Sequence, residues 1–209
     1  MKIIEVKSLA LAGVKVIKFG RFPDQRGYFA ETFKQSDVLE NPALDFLKPF
    51  SFVQTNESFS RSGVVKGLHF QWDPLLGKLL RTISGHMVDM ILDIRKNSPT
   101  FGKIILYDLP STESMDYNEW IWLPPGVAHG SFFLKDSLNE YFFSANYNPK
   151  AEAGISPLTE DLDWSLAEPE LKQEFEQLKS GQIIINDKDK NGLTLKAWEQ
   201  DPRSQNFIS

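Results

Sequence analysis

Short runs in which apolar and polar residues alternate, separated by glycine- and proline-rich breaks, occupy most of this chain, a rhythm that marks half-buried β-strands. Residues 3–19 contain β-prone pieces broken at Ala12-Gly13, and Phe22-Pro-Asp-Gln-Arg-Gly27 reads as a turn ahead of a strand over 28–33. Residues 36–47 fit a short helix or a loop. Over 50–58 a strand brings Phe52, Gln54, Asn56 and Ser58 to one face, a polar stripe behind an aromatic anchor. Residues 77–85 and 86–95 read as consecutive strands meeting at a Gly85 turn. In the second, Val88, Met90, Leu92 and Ile94 share one side, and Asp89, Ile91, Asp93 and Arg95 the other. Periodicity alone does not say whether such polar sides face water or a polar lumen, and solvent is the commoner outcome.

The pattern continues with a turn over 97–100, a strand over 104–109, a polar loop over 110–118, and a strand entering Pro124-Pro-Gly126 on the way to His129. Strand rhythm resumes over 131–134 and 140–147, where Tyr141, Phe143 and Tyr147 share a face. From about Asp161 the texture changes. Leu171, Phe175 and Leu178 recur at helical spacing, with Pro169 suited to a first turn and Gly181 to a C-cap. Residues 182–195 read as short and β-like around Asn186-Asp-Lys-Asp-Lys-Asn-Gly192. These elements predict a mainly β protein, an antiparallel jelly-roll sandwich or barrel over 1–160. A short C-terminal helical extension over 161–209 packs on it, the whole forming one domain.

Composition narrows the function. With 41% hydrophobic and 24% charged residues the chain is an ordinary globular one, and its net charge of −5 argues against a nucleic-acid or anionic-membrane partner. The amino-terminal residues lack a sustained apolar segment and no run is long enough to cross a bilayer, so the expected location is cytoplasmic. Cysteine is absent, which removes disulfides, thiolate metal sites and a cysteine nucleophile. Dinucleotide, phosphate-loop and serine-elbow motifs are also missing.

The stretch richest in chemistry is Gly63-Val-Val-Lys-Gly-Leu-His-Phe-Gln71, where a β-branched apolar run carries a cation, a glycine and one of only three histidines. An imidazole titrating near neutrality is a ready general base, and Lys66 and Gln71 beside it suit a polar ligand. A metal-binding cupin would need a second histidine two residues after His69, and that place holds Gln71, so no catalytic metal is expected. Lys66 and His69 stand three apart and would face opposite ways on a regular strand. If both serve one pocket, Gly67 should mark a bulge.

Six segments now follow in one order: Asp24-Gln-Arg-Gly-Tyr-Phe-Ala-Glu31, Gln54-Thr-Asn56, the stretch 63–71, Gly77-Lys-Leu-Leu-Arg81, Asp93 to Gly102, and Pro124-Pro-Gly-Val-Ala-His-Gly130. Together they resemble the dTDP-4-dehydrorhamnose 3,5-epimerase family, cupin-fold enzymes of deoxysugar biosynthesis. The resemblance runs from about residue 20 to 155, with an echo at 186–189. It implies a cupin-type fold, no cofactor, and a nucleotide-diphosphate sugar substrate inverted at C3 and C5 beside a 4-keto group. It also implies a homodimer formed by exchanged amino-terminal strands. His69 matches the family's base, Tyr141 the acid on the opposite face, Lys78 the cation beside the enolate oxygen, and Asp189 the carboxylate that orients the base, with Asp89 a competing partner. Arg26, Glu31, Gln54, Asn56, His129, Glu152 and Lys188 fall where the family contacts substrate, and Tyr147 where it stacks on thymine. Arg26 and Glu31 would serve the neighbour's pocket.

The chemistry is self-consistent. A carbon acid next to a ketone needs a base for its proton, a cation for the resulting oxyanion, and an acid on the far face for inversion. On this reading the polar stripe and the Asp89 and Asp93 side turn toward a polar lumen. Lys66 departs from the family's usual arginine at that site, exchanging a planar two-pronged donor for a point charge, and Asn146 departs from its usual tyrosine or proline. A 3-epimerase, a 3,4-ketoisomerase and a non-catalytic nucleotide-sugar-binding cupin remain as alternatives.

Overall fold

The structure, a computed structural model, describes residues 1–208. Its strands are β1 (Ile3–Ser8), β2 (Lys15–Gly20), β3 (Phe22–Asp24), β4 (Gly27–Phe29), β5 (Gln54–Ser60), β6 (Val65–Gln71), β7 (Lys78–Asp93), β8 (Ile104–Ser111), β9 (Tyr117–Leu123), β10 (Val127–Phe143) and β11 (Glu152–Ile155). The helices are α1 (Gln35–Glu40), α2 (Pro169–Ser180), α3 (Asp187–Lys190) and α4 (Leu195–Gln200), with 3-10 turns at Pro42–Leu47 and Pro202–Asn206.

Two long antiparallel strands organise the molecule. β7 and β10 pair from Asp93 and Val127 at one end to Lys78 and Phe143 at the other, and each serves two sheets in turn. Their first and last halves, respectively, join β1, β2, β9 and β5 in one sheet, and the remaining halves join β8, β6 and β11 in the other. This is a jelly-roll sandwich. The expected breaks at Gly85 and between 134 and 140 are bends within these strands. Gly85 takes φ +103°, and a Cβ there would lie 2.2 Å from the Asp136 carbonyl oxygen, so glycine allows the strand to turn the corner without ending.

Each sheet buries its inner face and part of its outer one, which sets the core. Met87, Ile91, Ile105 and Phe133 meet Leu80 and Ile121 between the sheets. On the outer side, Val88, Met90, Leu92 and Phe132 meet Phe175, Leu195, Trp198 and Phe207 of the C-terminal segment. Trp198 is fully buried with its ring 4.4 Å from that of Phe70. α1 and the first 3-10 turn cover the other sheet by packing Val38, Leu44 and Leu47 on Ile17, Trp120 and Trp122. Helix α2 begins at Pro169 and is capped at its C-terminus by Gly181, as its sequence predicts.

Three local expectations are corrected. The strand over 28–33 stops at Phe29, because β3 and β4 form a small hairpin of their own with no further partner strand. Residues 182–195 make only single bridges to the sheet, at Ile184 and Leu193, and fold into α3 between them. Asp93 faces no lumen: its carboxylate accepts from Arg95, Ser98 and Thr100 and closes the turn after β7. No helix among the described residues is long and apolar enough to cross a membrane.

Candidate active site

The inner polar stripe of β5 and the facing positions of β6, β7 and β10 surround a cavity of about 390 Å³, within the range of small-molecule sites. His69, Lys66, Lys78, Tyr141, His129, Asn56, Tyr147, Glu152, Lys188 and Asp189 all line it. The polar stripe therefore faces inward.

Lys66 and His69 share the cavity because β6 is bulged, as their spacing requires. His129 pairs with His69, but Ser131 pairs with Lys66, so β6 carries one more residue than β10 across this interval. The bulge also frees the Gly67 amide, which donates to Asp189 Oδ2 at 2.8 Å. Asp189 Oδ1 lies 2.7 Å from His69 Nε2. Asn186 caps α3 and holds this carboxylate from both sides, its Oδ1 accepting from the Asp189 amide at 2.7 Å and its Nδ2 donating to Oδ2 at 3.2 Å. Burial alone would raise the Asp189 pKa, but hydrogen bonds from His69 and Gly67 outweigh it and hold the acid below its ordinary value. An ionised Asp189 accepts the Nε2 proton, so the His69 lone pair is on Nδ1. Asp189, and not Asp89, is the partner of His69. Gly154 opposite leaves room for the ring: a Cβ there would sit 2.8 Å from His69 Cδ2.

Asp89 serves the buried His129. Its Oδ1 is 3.1 Å from His129 Nδ1 and accepts from Ser131 Oγ at 3.4 Å. Burial raises Asp89 well above its ordinary value despite Lys78 and Ser131, whereas burial first, and then the neighbouring Lys78 and Lys66 ammonium groups, push His129 well below its own. His129 is therefore neutral at pH 7 and has Nε2 free of Asp89.

Lys78 is buried and donates to the His69 carbonyl at 3.3 Å. Burial lowers its pKa to about 8, against the pull of Asp89 and Glu152. Tyr141 is buried on β10, its phenol raised to about 12 by burial, and its oxygen accepts from Ser58 Oγ at 3.4 Å. At the mouth Lys188 Nζ donates to Glu152 Oε2 at 2.6 Å, and the Tyr147 hydroxyl to the same oxygen at 3.4 Å. Tyr147 lies beyond the end of β10 but keeps 45% exposure over the opening.

Some expected residues stand elsewhere. Arg26 is in the β3–β4 turn, exposed and paired with Asp24 at 2.6 Å. Glu31 is 3.4 Å from the amino terminus. Neither lines this cavity. Gln54 lies just behind it, donating to Asn56 Oδ1 and accepting from the Tyr147 amide. Gln71 does not await a ligand: it donates to the Pro74 and Asn146 carbonyls and accepts from the Asn148 amide, anchoring the loop that carries Tyr147. Ser58 is in the polar stripe, but nothing in its spacing predicts its contact with Tyr141. Among the described residues no three His, Asp or Glu side chains converge as a metal site.

A jelly roll whose interior gathers a carboxylate-backed imidazole, a buried ammonium and a phenol is a cupin-type isomerase. The particular family is given by comparison: the model of the dTDP-4-dehydrorhamnose 3,5-epimerase family matches residues 8–197, and the chain belongs to that family. It is 36% identical over 176 residues to the dTDP-4-dehydrorhamnose 3,5-epimerase of Shigella flexneri, covering 82% of this chain and 84% of that one. It is 35% identical over 190 residues to that of Methanothermobacter thermautotrophicus, covering 90% and 92%. Among solved structures, it is similar to dTDP-6-deoxy-D-glucose-3,5-epimerase from Legionella pneumophila in complex with dTDP-4-keto-L-rhamnose. That match has a TM-score of 0.78 at 28% identity and covers 98% and 97% of the two chains. The dTDP-4-dehydrorhamnose 3,5-epimerase from Sulfolobus tokodaii matches with a TM-score of 0.72 at 37% identity, covering 94% and 97%.

Proposed function

We propose that this protein inverts C3 and C5 of a dTDP-linked 4-keto-6-deoxyhexose by removing and returning protons next to the ketone. His69 Nδ1 takes the proton, with Asp189 holding the ring and offsetting the charge it acquires. The Lys78 ammonium stabilises the enolate oxygen, and Tyr141 returns a proton to the opposite face of the ring. The buried His129 lends a neutral N–H or lone pair at Nε2 to the sugar or diphosphate. Lys188 supplies a cation for the diphosphate, Asn56 and Glu152 address sugar hydroxyls with Gln54 holding Asn56 from behind, and the Tyr147 ring offers a face to thymine.

The observation that carries this reading is the joint presence of the His69–Asp189 couple, Lys78 and Tyr141 around one cavity. Incubating the protein with dTDP-4-keto-6-deoxyglucose in deuterated water is expected to place solvent deuterium at C3 and C5. Folded protein that leaves both carbons unlabelled would reject the substrate.

The β3–β4 hairpin belongs to this proposal. Its turn carries Arg26, which is not among the residues lining the cavity, with Phe22, Tyr28 and Phe29 exposed beside it. An apolar arm with a terminal cation fits a homodimer in which Arg26 and Glu31 complete the neighbour's site.

A further inference from the structure

Three strands converge behind the Tyr141 phenol. Ser58 on β5 lies diagonally across from Tyr141 on β10, since Asn56 is the residue paired with Tyr141 and Ser58 is paired with Asn139. Lys66 reaches the same point from β6, its Nζ 5.3 Å from the centre of the Phe133 ring. The two hydrogen bonds that join them run the same way: Lys66 Nζ donates to Ser58 Oγ at 3.3 Å, and Ser58 Oγ donates to the Tyr141 oxygen at 3.4 Å. No other protein group among the described residues bonds that phenol oxygen, which leaves its own proton free to turn into the cavity.

We propose that Lys66 and Ser58 form a proton wire that recharges Tyr141 after it has protonated the sugar. The inference rests on the epimerase reading above. When the Tyr141 O–H bond breaks and a C–H bond forms, a buried phenolate is left. It takes the Ser58 hydroxyl proton as Ser58 takes one from the Lys66 ammonium, and the Lys66 amine recovers a proton from water in the cavity. His69 returns its proton to water in the same cycle, so each inversion consumes none.

The direction of transfer is downhill. Burial raises the phenol to about 12 and lowers Lys66 below the ordinary lysine value, Asp189 only partly opposing it, so the phenolate is the stronger base. This gives the lysine a use that an arginine would lack. A guanidinium would hold Ser58 with the same hydrogen bond but, staying protonated throughout the working pH range, would not yield its proton.

Product formation by rapid quench at saturating dTDP-4-keto-6-deoxyglucose tests the wire, comparing the wild type with Ser58→Ala and Lys66→Arg. The wild type is expected to show no burst. Each variant is expected to invert about one carbon per site and then slow at least tenfold, so that singly inverted sugar accumulates while tyrosinate absorbance builds up during the slow phase. Equal slowing of first and later turnovers, with no tyrosinate signal, would make Ser58 and Lys66 substrate contacts only. Wild-type kinetics in both variants would also overturn the wire. Absence of solvent deuterium in the wild-type product would instead reject the epimerase reading, which keeps the two failures distinct.

Discussion

Asp189 Oδ1 stands 2.7 Å from His69 Nε2 although 120 positions separate them in the chain. The contact turns an ordinary strand histidine into an oriented base, because a carboxylate on Nε2 decides which nitrogen carries the lone pair. His69→Asn should abolish deuterium exchange while nucleotide binding, measured calorimetrically, changes little. Asp189→Asn should lower kcat by about 10²- to 10⁴-fold, the range a general base contributes. A His69→Asn protein that loses nucleotide affinity to the same extent would make His69 a contact instead of a base.

Lys78 predicts opposite pH trends for activity and stability. Its ammonium is required at the enolate, so kcat/KM should fall as pH rises through about 8, where the buried lysine loses its proton. Lys78→Arg should move that limb to higher pH. Between about 8 and the ordinary lysine value of 10.5 the unfolded chain holds a proton that the folded one has released. Stability from this group therefore rises with pH across that window. Denaturant titrations should show the wild type gaining on Lys78→Met over the same range, and a wild type that loses ground would contradict the assignment.

Gly154→Ala should impair chemistry more than binding. The added methyl would meet His69 Cδ2 at 2.8 Å and push the ring from its place beside Asp189. Displacement of a base by about 1 Å costs on the order of 10²-fold. The loss should appear in kcat, with KM and the melting temperature nearly unchanged. A fall in KM-linked terms alone would place the effect on substrate contact.

Asp93→Ala should act on stability alone. The fully buried carboxylate accepts from Arg95, Ser98 and Thr100, and its removal strands a mostly buried guanidinium. Such a loss costs about 3–5 kcal/mol. Urea denaturation should show it, with kcat/KM of the remaining folded protein unchanged. A large kcat effect in folded protein would return Asp93 to the lumen.

Subunit mixing tests the hairpin. Arg26→Ala and His69→Asn proteins should each be impaired, yet refolding them together should restore activity, because a mixed dimer has one site with an intact arginine and an intact base. Failure to complement, with mixed dimers verified by mass, would confine Arg26 to its own subunit.

The strand content is legible in the sequence because alternation is a local property, whereas His69, Lys78 and Tyr141 are pointed to together only by resemblance to the family's motifs, and the fold brings the three to one cavity. The bulge at Gly67 is legible too, since two pocket residues three apart on one strand demand it, and β6 has it. Other features are not. Gly85 reads as a turn because glycine punctuates both turns and bends, and only the continuous pairing of β7 with β10 distinguishes them. Asp189 lies in an alternating charge run that resembles solvated loop, yet it is 3% exposed.

What the chain determined by itself, then, was which residue types recur at which spacing: enough to set a β-sandwich, a short tail helix and a family of motifs. Which carboxylate serves which histidine, that Asp93 closes a turn, that Gln71 anchors a loop and that Ser58 touches Tyr141 were decided only on folding. The reason is that hydrogen bonds and burial are relations between segments distant in sequence, and alternation carries no information about which distant strand will lie alongside.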